Sequence, residues 1–209
     1  AEAAASEEKF YSFNDLLDSI ERRNLRRAEY ILATQPEIVN SHLAVHNDTP
    51  LIFASRHGIS ELVRLLLRSP GINVNAHNNI DNMYTALISA SREEHADIVE
   101  QLLLAPDIDV NAVDHDGNSA LMFASSTNID IAKKLIECGA DPNLVNKYGS
   151  TALDWANSFG QTDVARFLRE YIAIHQDETP ALPASSTLAA ADDGGTQEHK
   201  SFEPAASAA

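Results

Sequence analysis

The chain has 209 residues, 15 Lys+Arg against 31 Asp+Glu, one Cys and a formal net charge of −16. Apolar residues make up 44%, enough for a core, which excludes wholesale disorder. The carboxylate surplus argues against duplex DNA, polyphosphate or an anionic membrane face, all of which call for clustered Lys/Arg, and no apolar run approaches the length of a bilayer span.

Residues 1–12 read as a flexible N-terminal segment. The opening AEAAASEEK has neither a basic nor an apolar signal region, so Ala1 is expected to follow a trimmed initiator Met. A single cysteine makes no internal disulfide, so nothing depends on an oxidising space. A cytoplasmic location is expected; a secreted effector or a periplasmic protein are the alternatives.

The chain then repeats itself. A degenerate copy, LLDSIERRNLRRAEYIL, closes with IVN at Asn40. Four clearer copies start at Thr49, Thr85, Ser119 and Thr151, spaced by 36, 34 and 32 residues, and the intervals close on Asn75, Asn111 and Asn143. Each Thr or Ser stands just before an apolar-periodic run, where a hydroxyl caps orphan amides of a helix, and Pro50 suits the first helical position. Ala54, Ala90, Ala124 and Ala156 are small where neighbouring helices must approach. Gly58 and Gly160 supply left-handed backbone at the end of the first helix, Glu94 stands in the same place, and Asn128 is available for it in the shorter third copy. A second helix opens with Glu61, Asp97, Asp130 or Asp163, favourable at the positive end of a helix dipole, and continues with a broad apolar stripe such as Leu62, Val63, Leu66 and Leu67.

These five registered copies closely resemble the ankyrin repeat family, whose unit of about 33 residues is a β-turn plus two antiparallel helices with a T-P-L-H-x-A signature. Here Ile52, Ile88, Met122 and Asp154 replace the family's His. The resemblance implies an all-α solenoid of about five helix-turn-helix units with hairpin fingers, over residues 13–175. Its units are drawn at 13–46 (a capping repeat), 47–81, 82–115, 116–147 and 148–175. Each copy is too small to bury its own apolar face, so stability comes from stacking, and the end copies should be polar outside. Arg22, Arg23, Arg26, Arg27 and Glu29 fit that role at the start, while Phe167, Leu168, Tyr171 and Ile172 close the end. Residues 176–209, rich in Ala, Ser, Pro and acids, read as a disordered tail.

Nothing in the sequence carries recognisable catalysis. Phosphate-loop, dinucleotide, nucleophile-elbow and zinc-helix motifs are all missing from it. Cys138 has no neighbouring base and reads as a packing residue. His77, His115, Asp114 and Asp116 follow the repeat period rather than a ligand spacing, so no metal and no cofactor is expected.

Binding residues are a different matter. Phe53, Ser89, Phe123 and Trp155 share one position on successive first helices, and aromatic residues are enriched at hot spots. The following pairs, Arg56-His57, Arg92-Glu93, Ser126-Thr127 and Ser158-Phe159, fall where the family faces its concave side. The segment before Thr85 is a longer finger with Met83 and Tyr84 as exposed apolar candidates. His46, Asp81, Asn82, Tyr84, His115, Asp116 and Tyr148 are the expected contact residues at the tips. Asn111, and more loosely Asn75, match the ankyrin sequence that asparaginyl hydroxylases accept; otherwise such side chains tie down the turn.

The expectation is a monomeric protein-binding module, acting as adaptor, scaffold or inhibitor, with no nucleic acid or membrane partner and no reaction of its own. The alternatives are the recognition domain of a larger enzyme, or a secreted bacterial effector that mimics host adaptors.

Overall fold

The computed structural model describes residues 10–43, 46–78 and 82–175. The expected flexible start and disordered tail at 1–9 and 176–209 lie outside the described residues. Among the described ones there are ten α-helices: α1 (Phe13–Glu21), α2 (Leu25–Thr34), α3 (Pro50–Arg56), α4 (Ser60–Leu67), α5 (Ala86–Arg92), α6 (Ala96–Leu103), α7 (Ala120–Thr127), α8 (Ile129–Glu137), α9 (Ala152–Ser158) and α10 (Thr162–His175). A short 3-10 turn, Pro36–Asn40, follows α2. The helices pair as α1/α2, α3/α4, α5/α6, α7/α8 and α9/α10.

Local chemistry starts each pair. The hydroxyl of Thr49 accepts the Ile52 N–H at 3.3 Å, and Thr85, Ser119 and Thr151 repeat this on Ile88, Met122 and Asp154 at 3.2–3.3 Å. Each such cap stabilises its helix by about 1 kcal/mol. Gly58 (φ 70°) and Gly160 (φ 71°) are left-handed after α3 and α9, and Glu94 (φ 61°) adopts the same backbone after α5 despite its Cβ. Asn128 does not. It is extended (φ −139°), ending α7 and starting α8, and its side chain accepts the Asp130 and Ile131 N–H groups. With one residue fewer in the turn, the link closes by capping instead of by a left-handed step.

Packing then joins the pairs in register. First helices α3, α5, α7 and α9 lie side by side, and second helices α4, α6, α8 and α10 form a parallel row. The first-helix row is the closer-packed of the two, as expected from its fully buried Ala54, Ala90, Ala124 and Ala156. Ile52, Ile88 and Met122 are fully buried in the same row. The fourth copy puts Asp154 there instead: it is exposed and reaches back to its own Thr151, accepting N–H at 2.8 Å and O–H at 2.7 Å. Asn157, in place of the buried Ser55, Ser91 and Ser125, is exposed and accepts from Arg169 at 2.7 Å. The last repeat therefore shows a polar outer face, and Leu168, Phe167 and Tyr171 of α10 close the apolar side. At the other end Arg22 pairs with Asp18 at 2.6 Å, and Arg27 sits 3.4 Å from Asp15 and 3.6 Å from Asp18.

The closing asparagines add a clamp between repeats. Asn40 Nδ2 donates to the Gly71 carbonyl at 2.7 Å while its Oδ1 accepts the Asn73 N–H at 2.9 Å. Asn75 does the same to Asp107 O (2.7 Å) and Asp109 N (2.8 Å), and Asn111 to Gly139 O (3.2 Å) and Asp141 N (2.8 Å). The held residue is left-handed each time, at Gly71, Asp107 and Gly139. The side chains thus tie down the turn of the next repeat rather than their own.

Candidate functional site

Two surfaces meet along the first-helix row: the helix face itself and the fingers that lead into each cap. The fingers are held from within. Val113 forms an antiparallel bridge with Ser119, and His77 with Thr85. Buried Asp114 accepts the N–H groups of Asp116 and Asn118 at 2.8 Å, and buried Asn146 accepts those of Tyr148 (3.0 Å) and Ser150 (2.9 Å). Asn146 Nδ2 donates to Asn118 Oδ1 at 2.8 Å, linking one finger to the next. Backbone bonds add to this, from His115 N–H to Asn82 O (2.7 Å) and from Lys147 N–H to Asp116 O (2.8 Å). Such fixed tips present their outer side chains with little left to order on binding.

The first finger has a different anchor. Asp48, only 1% exposed, faces Arg56 through an Oδ2–Nη1 contact of 2.9 Å and an Oδ1–Nη2 hydrogen bond of 3.1 Å. Asn78 Nδ2 donates to the same Asp48 Oδ1 at 2.8 Å, and Asn78 Oδ1 accepts the Tyr84 N–H at 2.9 Å. Arg56 was expected to be a free contact residue; its guanidinium is instead engaged in neutralising a buried carboxylate. The signals for this network are Asp48 and Asn118 immediately before their caps, and Asn78, Asp114 and Asn146 at the finger bases, none of which sequence reasoning singled out for this role.

Tyr84 is corrected as well. It is 8% exposed; it occupies the position before a cap, where Asp48 and Asn118 are likewise buried in their fingers and Ser150 half-buried. Its ring meets Phe123 edge-on at 5.9 Å, Arg92 lies 5.3 Å above it, and Asn82 Nδ2 donates to its hydroxyl at 2.9 Å. Met83 in the same finger is exposed. Asp81 lies outside the described residues. His46 is exposed in left-handed backbone.

On the helix face an aromatic row forms. Phe123 and Trp155 meet edge-on at 5.2 Å, and Trp155 and Phe159 are tilted at 5.9 Å. Phe123 and Trp155 are half-buried, whereas Phe159 is 55% exposed. At the other end Phe53 packs on Phe13 at 5.4 Å and carries the exposed His57 ring at 4.4 Å. Ser89, the equivalent in the second copy, is buried and separates the two aromatic groups. Ser126 and Thr127 follow Phe123 on α7, their hydroxyls donating to the Phe123 carbonyl at 2.7 and 3.4 Å, and exposed Ser158 precedes Phe159; Tyr148, on the last finger, is 73% exposed. Arg92 and Glu93 are exposed at the near end, with side chains 3.9 Å apart. His115 is exposed and Asp116 half-buried.

Among the described residues no group of three His, Cys, Asp or Glu side chains is placed to hold a metal ion, and no helix is long and apolar enough to cross a membrane. Cys138 is exposed at the end of α8.

A family model described as ankyrin repeats (3 copies) matches residues 16–114 and 87–179. Neurogenic locus notch homolog protein 1 of the zebrafish Danio rerio is 33% identical over 72 residues, which is 32% of this chain. The chain spans only 3% of that relative's length.

Proposed function

The chain belongs to the ankyrin repeat family, and on that premise we propose that it is an adaptor, scaffold or inhibitor that holds a partner protein against the first-helix row and the finger tips and catalyses no reaction itself. Ankyrin repeats are generally protein–protein interaction modules, and the family is typically non-enzymatic. The observation that carries the reading is the row Phe123–Trp155–Phe159, which leaves aromatic surface open to solvent beside Ser126, Thr127 and Ser158. Rigid aromatic anchors inside a polar rim are the usual composition of a hot spot. The buried finger network supports it by fixing the rim before a partner arrives. The longer second finger, with Asn82 and Met83, and the neighbouring Arg92 and Glu93 shape which partner is accepted. Asn75 and Asn111 remain the residues that a hydroxylase would modify, in a host that has one.

The test is site-specific photocrosslinking in the host cell. A benzophenone side chain at position 159 should capture a discrete partner, while the same group at Lys133, exposed on α8, should not. Equal capture from both positions, or none from 159, contradicts the proposal.

A further inference from the structure

One buried ring joins the finger before α5 to the aromatic row. The residue just before the cap is polar in the other fingers, as Asp48, Asn118 and Ser150, but is Tyr84 in this one. On α5 itself the aromatic register holds small, buried Ser89, where α3, α7 and α9 carry Phe53, Phe123 and Trp155. Tyr84 supplies the ring that α5 lacks. It reaches the next repeat and meets Phe123 at 5.9 Å with the ring planes 87° apart, and Phe123 meets Trp155 at 5.2 Å and 78°. Such edge-on pairs depend on orientation, because the positive edge of one ring seeks the negative face of another.

Tyr84 is the fixed member of this series. Its backbone N–H donates to Asn78 Oδ1 at 2.9 Å, and its carbonyl accepts the Asn78 N–H at 3.1 Å. Asn78 is anchored in turn on the buried Asp48 carboxylate at 2.8 Å. Asn82 Nδ2 donates to the Tyr84 hydroxyl at 2.9 Å, and the Asn82 carbonyl accepts the His115 N–H of the next finger at 2.7 Å. Arg92 covers the ring at 5.3 Å. Phe123 and Trp155, by contrast, are only half-buried. We propose that Tyr84 is a positioning residue for the docking face: without touching the partner, it sets Phe123, and through Phe123 sets Trp155, in the orientation that the partner meets. This rests on Phe123–Trp155–Phe159 being the docking row. A row oriented before contact loses less freedom on binding, so its anchors hold the partner more tightly.

The test compares the full-length parent with Tyr84→Leu, which removes the ring, and Tyr84→Phe, which keeps it. In the free proteins, the Trp155 indole N–H resonance and the Phe123–Trp155 ring cross-peaks are read by NMR; Trp155 is the single tryptophan and is separated from Tyr84 by Phe123. Tyr84→Leu should shift or broaden the indole signal and weaken the cross-peaks, while Tyr84→Phe should restore both. Asn111→Ala, which loosens a clamp elsewhere, should leave both unchanged, so a general loss of stability does not mimic the effect. If Tyr84→Leu does not fold, Tyr84→Met carries the same comparison with a flexible side chain. The protein captured from position 159 should bind Tyr84→Leu about two- to tenfold more weakly than the parent, the range of one lost edge-on pair, and should bind Tyr84→Phe as the parent. Unmoved Trp155 and Phe123 signals in Tyr84→Leu, or moved signals with unchanged affinity, overturn the positioning role and leave the docking row standing. No capture from position 159 overturns both.

Discussion

Asp48 and Arg56 form a two-point ion pair, at 2.9 and 3.1 Å, in which the carboxylate is 1% exposed and the guanidinium side chain 18% exposed. Removing the cation strands a buried carboxylate that also receives Asn78. Arg56→Ala should therefore destabilise the array by about 2–4 kcal/mol, close to the cost of breaking a buried pair. Asp48→Asn/Arg56→Met, which removes both charges, should cost less than the single change. Urea unfolding of the parent and the two variants decides it; an unaffected Arg56→Ala midpoint would return Arg56 to the list of free contact residues.

The asparagine clamps predict a contrast along the chain. Asn111→Ala deletes one donor and one acceptor across two repeats and should cost about 1–2 kcal/mol, at ordinary values for partly exposed hydrogen bonds. Asn143 has no equivalent pair of side-chain bonds among the described residues, so Asn143→Ala should stay within about 0.5 kcal/mol of the parent. Hydrogen exchange at the Asp141 amide should accelerate in the first variant alone.

Backbone at the end of the first helix gives a pair of opposite signs. Glu94 holds φ 61°, so Glu94→Gly should stabilise by about 0.5–1 kcal/mol through relief of left-handed strain, less the entropy that glycine loses. Gly58→Ala should destabilise by more than 1 kcal/mol, in the range of about 1–2. Its new Cβ would be strained at φ 70° and would lie 2.8 Å from His95 Cε1, displacing a ring whose Nε2 lies 3.2 Å from Arg56 O. Thermal melts of both variants check the signs.

Acid should erode one cap. The backbone N–H and the hydroxyl of Thr151 both donate to the Asp154 carboxylate and hold its pKa below the ordinary aspartate value. A depressed carboxyl stabilises the fold above its unfolded-state pKa of about 4, and that contribution disappears as pH falls through the lower folded value. The parent should be more stable than Asp154→Asn at neutral pH, with the gap closing below about pH 4. A gap that is constant with pH would show that the cap does not depend on the charge.

The parts of the fold governed by spacing were legible in advance. Thr49, Thr85, Ser119 and Thr151 cap, and the four alanines are buried, because every copy imposes the same local demand on the same register. What escaped depends on contacts between copies. Asp48 looks like any acid before a helix until the finger folds it under Arg56. Tyr84 reads as the tip of a lengthened loop, although the position before a cap points inward. Asn128 was expected to turn left-handed because its neighbours in register do so, whereas the missing residue leaves only room for a cap. The clamps of Asn40, Asn75 and Asn111 are visible as a repeating residue, but their target lies about a repeat away.

Trp155, the only tryptophan in the chain, stands between Phe123 and Phe159 and reports directly on the proposed docking face. With the captured partner titrated in, its emission should shift to the blue and its quenching by acrylamide should fall, with both changes saturating at the binding stoichiometry. Binding that saturates while Trp155 emission and quenching stay unchanged would contradict the account.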